Sequence, residues 1–259
     1  METWRLLVDP PAAGARNMAV DQAIAESVQD GSAPPTLRFY TWWPRALSLG
    51  YHQPLRLVDR PLAQHLGIDI VRRITGGGAL LHSDELTYAV ALPRRHDVVR
   101  GGIRESYAAL TEGLVAGLEA LGLAPRAGET AHAPEETLPG LCFASPSTHE
   151  IWVERRKMVA SAQGRVHGGV LQHGSLVMSH DPDVHRVTHT PAPQVRSPGL
   201  RDVLAQPLTI GELVQALTQG FADRLHVAPE PGVLTLEERN RRDELVGVRY
   251  AHDAWLARR

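Results

Sequence analysis

Hydrophobic residues along this chain recur with two periods, and each period predicts its own kind of secondary structure. Residues 17–29 and 103–121 have apolar positions three or four apart, as amphipathic helices do, and Gly122 ends the second segment. Short β-rich runs alternate with these helices, and the last three predicted strands form an antiparallel meander with Lys157 at the turn between its first two strands. Strands are predicted at residues 4–8, 36–40, 46–50, 68–71, 87–92, 150–153, 158–162 and 169–178, and further helices at 59–66, 210–225 and 235–256.

The order of these elements predicts one α/β domain over residues 1–259, with its core at about 30–225. No internal repeat or low-complexity linker separates two halves. Residues 125–147 are rich in proline, glycine and small side chains, which predicts a long loop. Cys142 lies near the end of this segment, and loops of that length in compact domains commonly carry function.

Composition and charge exclude several classes of protein. No apolar stretch approaches the roughly 18 residues of a membrane-spanning helix, and the N-terminal residues do not resemble a signal peptide. A net charge of −2 without a basic run argues against a nucleic-acid partner. A single cysteine excludes an intrachain disulfide and is typical of a reducing compartment. We therefore expect a cytoplasmic protein that binds neither membrane nor nucleic acid.

Cys142 is the only cysteine and Lys157 the only lysine, and they lie 15 positions apart. A thiolate is a strong nucleophile, and a nearby ammonium favours the thiolate form. Arginine supplies all the other basic side chains besides histidine, so Lys157 occupies a position where arginine does not serve equally well. The spacing alone leaves open a buried, inert cysteine and a solvated lysine.

Three consecutive glycines follow the predicted strand at residues 68–71, within the sequence Arg-Arg-Ile-Thr-Gly-Gly-Gly-Ala-Leu-Leu-His at positions 72–82. Backbone without Cβ atoms lets a ligand approach closely and can present several N–H groups to it. The segment matches neither a Walker A loop nor a dinucleotide-binding fingerprint. On this evidence alone, a ligand-binding turn and a simple tight bend are both open.

Two further motifs follow the glycine-rich segment in the chain. Residues 157–163 have the form K-x-x-x-S-A-Q, and residues 171–176 have the sequence L-Q-H-G-S-L. Together with the glycine-rich segment they resemble the biotin/lipoate protein ligase superfamily, and the resemblance covers most of the chain. Within it, the chain is most similar to the cysteine-dependent octanoyltransferases of lipoate assembly, whose catalytic cysteine precedes a lysine by the 15 positions that separate Cys142 from Lys157.

This resemblance implies a single α/β (α+β) catalytic domain with a mixed, largely antiparallel sheet flanked by helices, and no C-terminal accessory domain. It implies transfer of an octanoyl group from octanoyl-acyl carrier protein to a lysine of a lipoyl domain, such as glycine cleavage H protein, through a thioester on Cys142. No cofactor is expected, because the carrier protein brings its own phosphopantetheine, and the enzyme is expected to be a monomer. The implied catalytic residues are Cys142 and Lys157, and the implied substrate-binding residues are Arg73, Gly76, Gly77, Gly78, His82, Gln172, His173 and Gly174.

Three alternatives remain open at this stage. The chain could be an ATP-dependent lipoate or octanoate ligase in which Cys142 is incidental, or an amidotransferase that moves octanoyl between lipoyl domains. The third is a non-catalytic protein that binds lipoyl domains or acyl carriers. A separate group, His180, His185 and His189 with Asp181 and Asp183, has a spacing compatible with a metal, but such polar histidine clusters are commonly solvated and no metal site is predicted.

Overall fold

Two β-sheets and the helices around them make up the structure, a computed structural model that describes residues 1–128, 141, 150–153, 156–190 and 199–258. The strands are β1 (Glu2–Val8), β2 (Thr36–Tyr40), β3 (Ala46–Leu49), β4 (Asp69–Arg72), β5 (Leu80–His82), β6 (Glu85–Leu92), β7 (Arg126–Ala127), β8 (Ile151–Val153), β9 (Arg156–Val166), β10 (Gly169–Val177) and β11 (Val227–Pro231). The α-helices are α1 (Gly14–Asp30), α2 (Arg60–His65), α3 (Ile103–Ala120), α4 (Asp183–Val187), α5 (Leu200–Val203), α6 (Ile210–Leu225), α7 (Leu236–Leu245) and α8 (Asp253–Leu256).

The larger sheet has the strand order β11-β1-β2-β6-β10-β9-β8-β7. Its β11–β1 and β1–β2 pairs are parallel, and each of its other pairs is antiparallel. In the smaller sheet, β3 pairs with β4 in parallel and with β5 in antiparallel orientation. The predicted fold class, an α/β domain with a mixed, largely antiparallel sheet flanked by helices, is confirmed.

Alternate residues of the central strands point to opposite faces of the larger sheet, and each face has its own layer. On one face, Val90 and Val170 pack with Leu114 of α3 and Phe221 of α6. On the other face, Leu171 belongs to a cluster with α1, the helical region 236–250 and part of β4. The smaller sheet therefore lies on the α1 side, where a cavity separates it from the larger sheet.

The core is wider than the predicted limits of about 30–225. Trp4 of β1, Leu245 of α7 and Tyr250 are all buried. They belong to the core because β11 returns in parallel to β1 and because α7 packs along α1. These are long-range pairings that local hydrophobic periodicity does not reveal.

The predicted bounds of β2 and α6 agree with the structure, whereas the prediction for Lys157 is wrong. Lys157 lies within β9, opposite Trp152 of β8, and not in a turn. The pattern marked only residues 158–162 as a strand because Gln163 and Arg165 are polar, yet antiparallel pairing with β10 carries β9 to Val166. The prediction also missed five short elements, β5, β7, α4, α5 and β11.

Within the described residues, none of the helices is both long and apolar enough to cross a lipid bilayer.

Candidate active site

A narrow cavity lies between the larger and the smaller sheet, with an empty volume of about 330 Å³ that includes its open mouth. Its wall is mainly apolar and combines small side chains of β9 and β10 with larger ones from α1, β5 and the segment after β2. Each methylene moved from water into such a space contributes about 0.8 kcal/mol. The cavity therefore suits a short hydrocarbon chain. Its lining includes Met18, Tyr40, Trp42, Leu80, Ala160, Ala162 and Gly174.

A hydrogen-bonded chain of three buried side chains forms one wall of the cavity. His82 Nδ1 lies 2.6 Å from Glu85 Oε1, and His82 Nε2 lies 2.8 Å from Ser48 Oγ. The Trp42 ring stacks on the imidazole with 3.8 Å between ring centroids. Thr87 Oγ1 also donates to Glu85 Oε1, at 2.6 Å. The imidazole is thus held in its plane and in its position by contacts on several sides.

The partners of Ser48 determine the tautomer that suits this chain. Arg73 Nη1 donates to Ser48 Oγ at 3.0 Å, and a guanidinium cannot accept a hydrogen bond. The Ser48 hydroxyl can therefore accept from Arg73 and still donate its own hydrogen to His82 Nε2, which suits the tautomer in which Nε2 carries no hydrogen. In this tautomer, His82 carries its ring hydrogen on Nδ1 and donates it to the Glu85 carboxylate.

A second hydrogen-bonded series of a carboxylate, an imidazole and a hydroxyl lies beside the first one at the cavity wall. His173 Nδ1 lies 2.9 Å from Asp21 Oδ2, and His173 Nε2 lies 2.7 Å from Thr75 Oγ1. Burial acts to raise the pKa of Asp21, but the Arg38 guanidinium and the hydrogen bonds from His173 and Tyr40 outweigh burial and hold that pKa below its ordinary value. The ionised carboxylate of Asp21 orients His173, which in turn fixes the start of the glycine-rich segment through Thr75.

Arg73, which is predicted to bind substrate, lines the cavity and also holds the glycine-rich segment together. Its Nε and Nη2 atoms donate to Gly76 O at 3.2 and 2.8 Å, and Nη2 also donates to Gly78 O at 2.7 Å. The carbonyl oxygen and the following N–H of a trans peptide point in opposite directions. The N–H groups of Gly77 and Ala79 therefore point away from the guanidinium and are oriented by it.

Glycine is required at two places in this turn. Gly77 has a φ of +92°, a backbone conformation that side chains with Cβ atoms rarely adopt. A Cβ on Gly50 would lie 2.0 Å from Gly77 O, which is far inside van der Waals contact. The turn can pack against the end of β3 only because both positions lack a side chain.

The segment that leads to Cys142 touches the same loop. Leu141 is buried and forms a parallel bridge with Ala79, immediately after the three glycines and next to Leu80 of the cavity wall. Cys142 follows Leu141 in the chain and lies outside the described residues. The backbone one residue before the predicted nucleophile is thus attached to the glycine-rich segment.

Lys157 is buried on β9, the strand that contributes Ala160 and Ala162 to the cavity. Its Nζ donates a hydrogen bond to Glu150 Oε1, and the side chains of both residues are almost fully buried. A buried ammonium without a counter-charge would be strongly unfavourable. The Glu150 carboxylate provides this counter-charge.

His82, His173 and Gly174 line the cavity, as predicted, but Gln172 does not. Successive residues of a strand point to opposite faces, and Gln172 lies on the α3 side of the sheet, where its Nε2 donates to Tyr88 Oη at 2.9 Å. Burial raises the pKa of Tyr88 to about 12, although its hydrogen bonds with Ser161 and Gln172 act in the other direction. Gln172 is thus part of the hydrogen-bonded layer on the α3 side, and its substrate-binding role stays a prediction.

Sequence reasoning missed the partners of the predicted residues, namely the acids Asp21, Glu85 and Glu150 and the hydroxyls Ser48 and Thr75. A signal existed for Glu85, which begins a strand of otherwise uncharged residues three positions after His82. A carboxylate at the edge of a buried strand needs a specific partner.

The histidine-rich segment after β10 has other partners. Asp181 and Asp183 form ion pairs with Arg45 at 2.8 and 3.0 Å, and His189 Nε2 lies 3.8 Å from Asp59. Within the part of the chain that the structure describes, no three His, Cys, Asp or Glu residues are grouped as metal ligands.

Comparison with known proteins agrees with this architecture. The family model "Lipoyl protein ligase A/B catalytic domain" matches residues 13–222. A curated relative, "Octanoyltransferase LipM" of Brevibacillus brevis, is 38% identical over 276 residues, which covers 100% of both chains. This full-length similarity confirms the octanoyltransferase class of enzyme that the sequence motifs predicted.

Two solved structures show the same fold. Lipoate-protein ligase A bound with ATP has a TM-score of 0.82 at 27% identity, covering 99% of each chain. A bipartite lipoate protein ligase of Thermoplasma acidophilum, solved in a study of that ligase and its E2 lipoyl domain, has a TM-score of 0.80 at 25% identity, covering 99% of this chain and 97% of the other. With the family match over most of its length, this chain belongs to the lipoyl protein ligase A/B catalytic domain family.

Proposed function

We propose that this chain is an octanoyltransferase of protein lipoylation that carries the octanoyl group as a thioester on Cys142. The observation that carries the proposal is the bridge between Leu141 and Ala79, beside an apolar cavity whose wall includes the strand of Lys157. This bridge attaches the chain next to Cys142 to a loop at the cavity wall. The full-length similarity to octanoyltransferases supports the same reaction.

The first step transfers the acyl group to the enzyme. The Cys142 thiolate attacks the thioester carbonyl of octanoyl-acyl carrier protein and forms a new C–S bond. The bond to the pantetheine sulfur breaks, and that sulfur leaves as a thiolate that takes up a proton. One thioester replaces another, so the step is close to balanced in free energy and needs no ATP.

The second step transfers the acyl group to the acceptor protein. The ε-amine of a lipoyl-domain lysine attacks the carbonyl of the Cys142 thioester and forms an amide. The C–S bond breaks, and the departing Cys142 sulfur takes the proton that the amine gives up. An amide is more stable than a thioester, which makes this step favourable.

Lys157 acts in both steps as a fixed positive charge. Glu150 lies against its ammonium group, which is the arrangement of a charge stabiliser and not that of a proton acceptor. A cation near Cys142 favours the thiolate over the thiol. The N–H groups of Gly77 and Ala79, which Arg73 orients away from itself, are the proposed donors to the carbonyl oxygen as its negative charge develops.

His82 and His173 position the site and do not exchange protons with the substrate. Each imidazole has Nδ1 on a carboxylate and Nε2 on a hydroxyl. Neither has a ring nitrogen directed at a reacting group. The His82 series binds Arg73 through Ser48, and the His173 series binds Thr75 directly. Arg73 and Thr75 in turn position the glycine-rich turn.

The partners follow from this chemistry. The donor is an acyl carrier protein whose phosphopantetheine supplies the thioester, so the enzyme needs no resident cofactor. The acceptor is a lipoyl domain such as glycine cleavage H protein, and a lipoyl domain is also named with the similar T. acidophilum ligase. We propose that the enzyme works as a monomer in the cytoplasm.

An ATP-dependent ligase is the second candidate, favoured by the similarity to lipoate-protein ligase A bound with ATP. In that case Lys157 would contact an acyl-adenylate, and Cys142 would be dispensable. Octanoyl transfer between two lipoyl domains uses the same thioester and differs only in the donor.

Intact-protein mass spectrometry distinguishes the first two candidates. The purified protein is mixed with octanoyl-acyl carrier protein without ATP, beside a Cys142→Ala variant. We expect an octanoyl adduct that hydroxylamine removes and that the variant does not form. Absence of the adduct, together with ATP-dependent modification of a lipoyl domain from free octanoate by both proteins, would establish the ligase instead. An octanoylated lipoyl domain offered as donor tests the amidotransferase.

A further inference from the structure

A second concave site lies on the outer side of the glycine-rich segment, separate from the acyl cavity. It has an empty volume of about 940 Å³, which includes its open mouth. Its walls come from the residues after β3, the glycine-rich segment, the end of β9 and the region 249–258. We call this site the arginine cleft, after the three arginines that line it: Arg165, Arg249 and Arg258.

Aromatic rings hold two of these guanidinium groups in place. The Arg258 guanidinium lies 4.1 Å from the ring centroid of Tyr51 and 4.7 Å from that of Trp255. The Arg249 guanidinium lies 4.8 Å from the same Trp255 ring, and its Nη1 donates to Gln22 Oε1 at 2.8 Å. Stacking on a shared ring orders both arginines before any ligand arrives, which lowers the entropic cost of binding.

Among the described residues, the carboxylate of Glu26 reaches the wall of the arginine cleft at His167, with 3.0 Å between Glu26 Oε1 and His167 Nε2, and it does not pair with the three arginines that line the cleft. None of its lining residues is an aspartate or a glutamate. Within the described residues, Arg165, Arg249 and Arg258 have no carboxylate within ion-pair distance. Arg241 shows the contrast, since it pairs with both Glu26 and Glu244 at 2.7 Å. The chain has a net charge of −2, and these three arginines of one concave site have no ion-pair partner among the described residues. Together they create a positive potential that attracts an anion.

The arginines and the glycine backbone of the cleft favour a phosphate group as the anion. A planar guanidinium binds phosphate through two parallel hydrogen bonds, and arginine is the preferred residue for this geometry. Gly76 and Gly164 contribute backbone without side chains, and a Cβ on Gly76 would meet no atom within 4 Å, so a ligand can approach the chain closely there. The volume lies in the range of small-molecule sites, roughly 300–1,000 Å³.

We propose that the arginine cleft binds a phosphate ester of a small molecule. A nucleotide and the phosphopantetheine portion of a coenzyme share this chemistry. The site is distinct from the acyl cavity and does not depend on the proposed octanoyl transfer. It is nevertheless adjacent to the cavity, because Thr75 lines the cleft while its hydroxyl is bonded to His173 of the cavity wall.

Isothermal titration calorimetry with inorganic pyrophosphate, ATP and coenzyme A, each at low ionic strength, tests this proposal. The double variant Arg165→Gln/Arg258→Gln removes two exposed arginines of the cleft. The matched control is Arg104→Gln, which removes an exposed arginine from α3 on the opposite side of the larger sheet. Thermal unfolding of each variant verifies that it is folded.

We expect one ligand molecule per chain, with a Kd at least tenfold weaker in the double variant and unchanged in the control. Coenzyme A contains an adenine nucleotide as well, so 4′-phosphopantetheine is titrated beside it. Tighter binding of 4′-phosphopantetheine than of ATP identifies phosphopantetheine as the source, and the reverse identifies a nucleotide. The proposal is overturned if no phosphate compound binds, or if citrate binds as tightly as pyrophosphate. It is also overturned if binding survives in the double variant but is lost in Lys157→Ala, which would place the ligand in the acyl site.

Discussion

The ammonium group of Lys157 is hydrogen bonded to the carboxylate of Glu150, and both side chains are buried at the β8–β9 edge of the sheet. The chain's single lysine therefore has a dedicated counter-charge seven positions earlier in the sequence. This contact supports our proposal that Lys157 stabilises negative charge and is not the base that deprotonates the acceptor amine.

Replacing Glu150 with glutamine tests the pair directly. The variant keeps the shape of the side chain but leaves the Lys157 ammonium without its counter-charge, so we expect a loss of about 3 kcal/mol in the free energy of unfolding, measured in urea. The double variant Glu150→Gln/Lys157→Met removes both charges and should recover part of that loss. If the single and double variants are equally unstable, the pair contributes no coupling.

Arg73→Lys is expected to disturb the glycine-rich turn. A lysine has one donor atom and cannot hold Gly76 O, Gly78 O and Ser48 together. We expect octanoylation of Cys142 to slow by on the order of tenfold or more, measured by rapid-quench mass spectrometry. The control is Arg72→Lys, at a neighbouring buried arginine that binds the carbonyls of Leu256, Gly50 and Gln53. Equal slowing in both variants would indicate general destabilisation.

Ala162→Leu should shorten the acyl chain that the cavity accepts. The larger side chain takes the place of three to four methylenes of octanoyl, which corresponds to roughly 2–3 kcal/mol, or on the order of 100-fold in kcat/KM. A butanoyl donor should be affected much less. Ala127→Leu, at an exposed position of β7, is the control for added bulk. An unchanged preference for octanoyl in the Ala162 variant would show that the acyl chain lies elsewhere.

The lowered pKa of Asp21 predicts that the free energy of unfolding depends on pH in the acid range. Its pKa is lowered in the folded protein, so the unfolded chain binds a proton first as the pH falls. The stabilisation is complete above the unfolded pKa of about 3.9 and is lost as the pH falls toward the lower folded value. Asp21→Asn should lose about 3 kcal/mol at neutral pH, because it leaves Arg38 without its buried partner.

The measurement for this prediction is the free energy of unfolding of both proteins from pH 7 to pH 3. The difference between them should be constant at neutral pH and should shrink below about pH 4. A difference that stays constant down to pH 3 would contradict the lowered pKa of Asp21.

Local sequence patterns were sufficient to predict the fold class, the family and most of the secondary structure. Helix α6 and strand β2 have the predicted bounds, because their apolar spacing is regular and turn or capping residues flank them. The motifs also singled out His82, His173 and Gly174, which line the cavity, while their substrate-binding role stays a prediction. Motifs of this kind can be recognised because they are local: the residues that act together are neighbours in the chain.

The contacts that hold the site together join residues far apart in the chain and could not be predicted from local patterns. Asp21 and His173 are 152 positions apart, and Ser48 and His82 are 34 apart, so no local period connects them. Strand register put Lys157 inside β9 and turned Gln172 to the opposite face from its neighbour His173. A shift of one residue in register exchanges the two faces of a strand, and register is set by packing across the whole sheet. The pairing of each predicted residue with its acid or hydroxyl therefore depended on the folded chain.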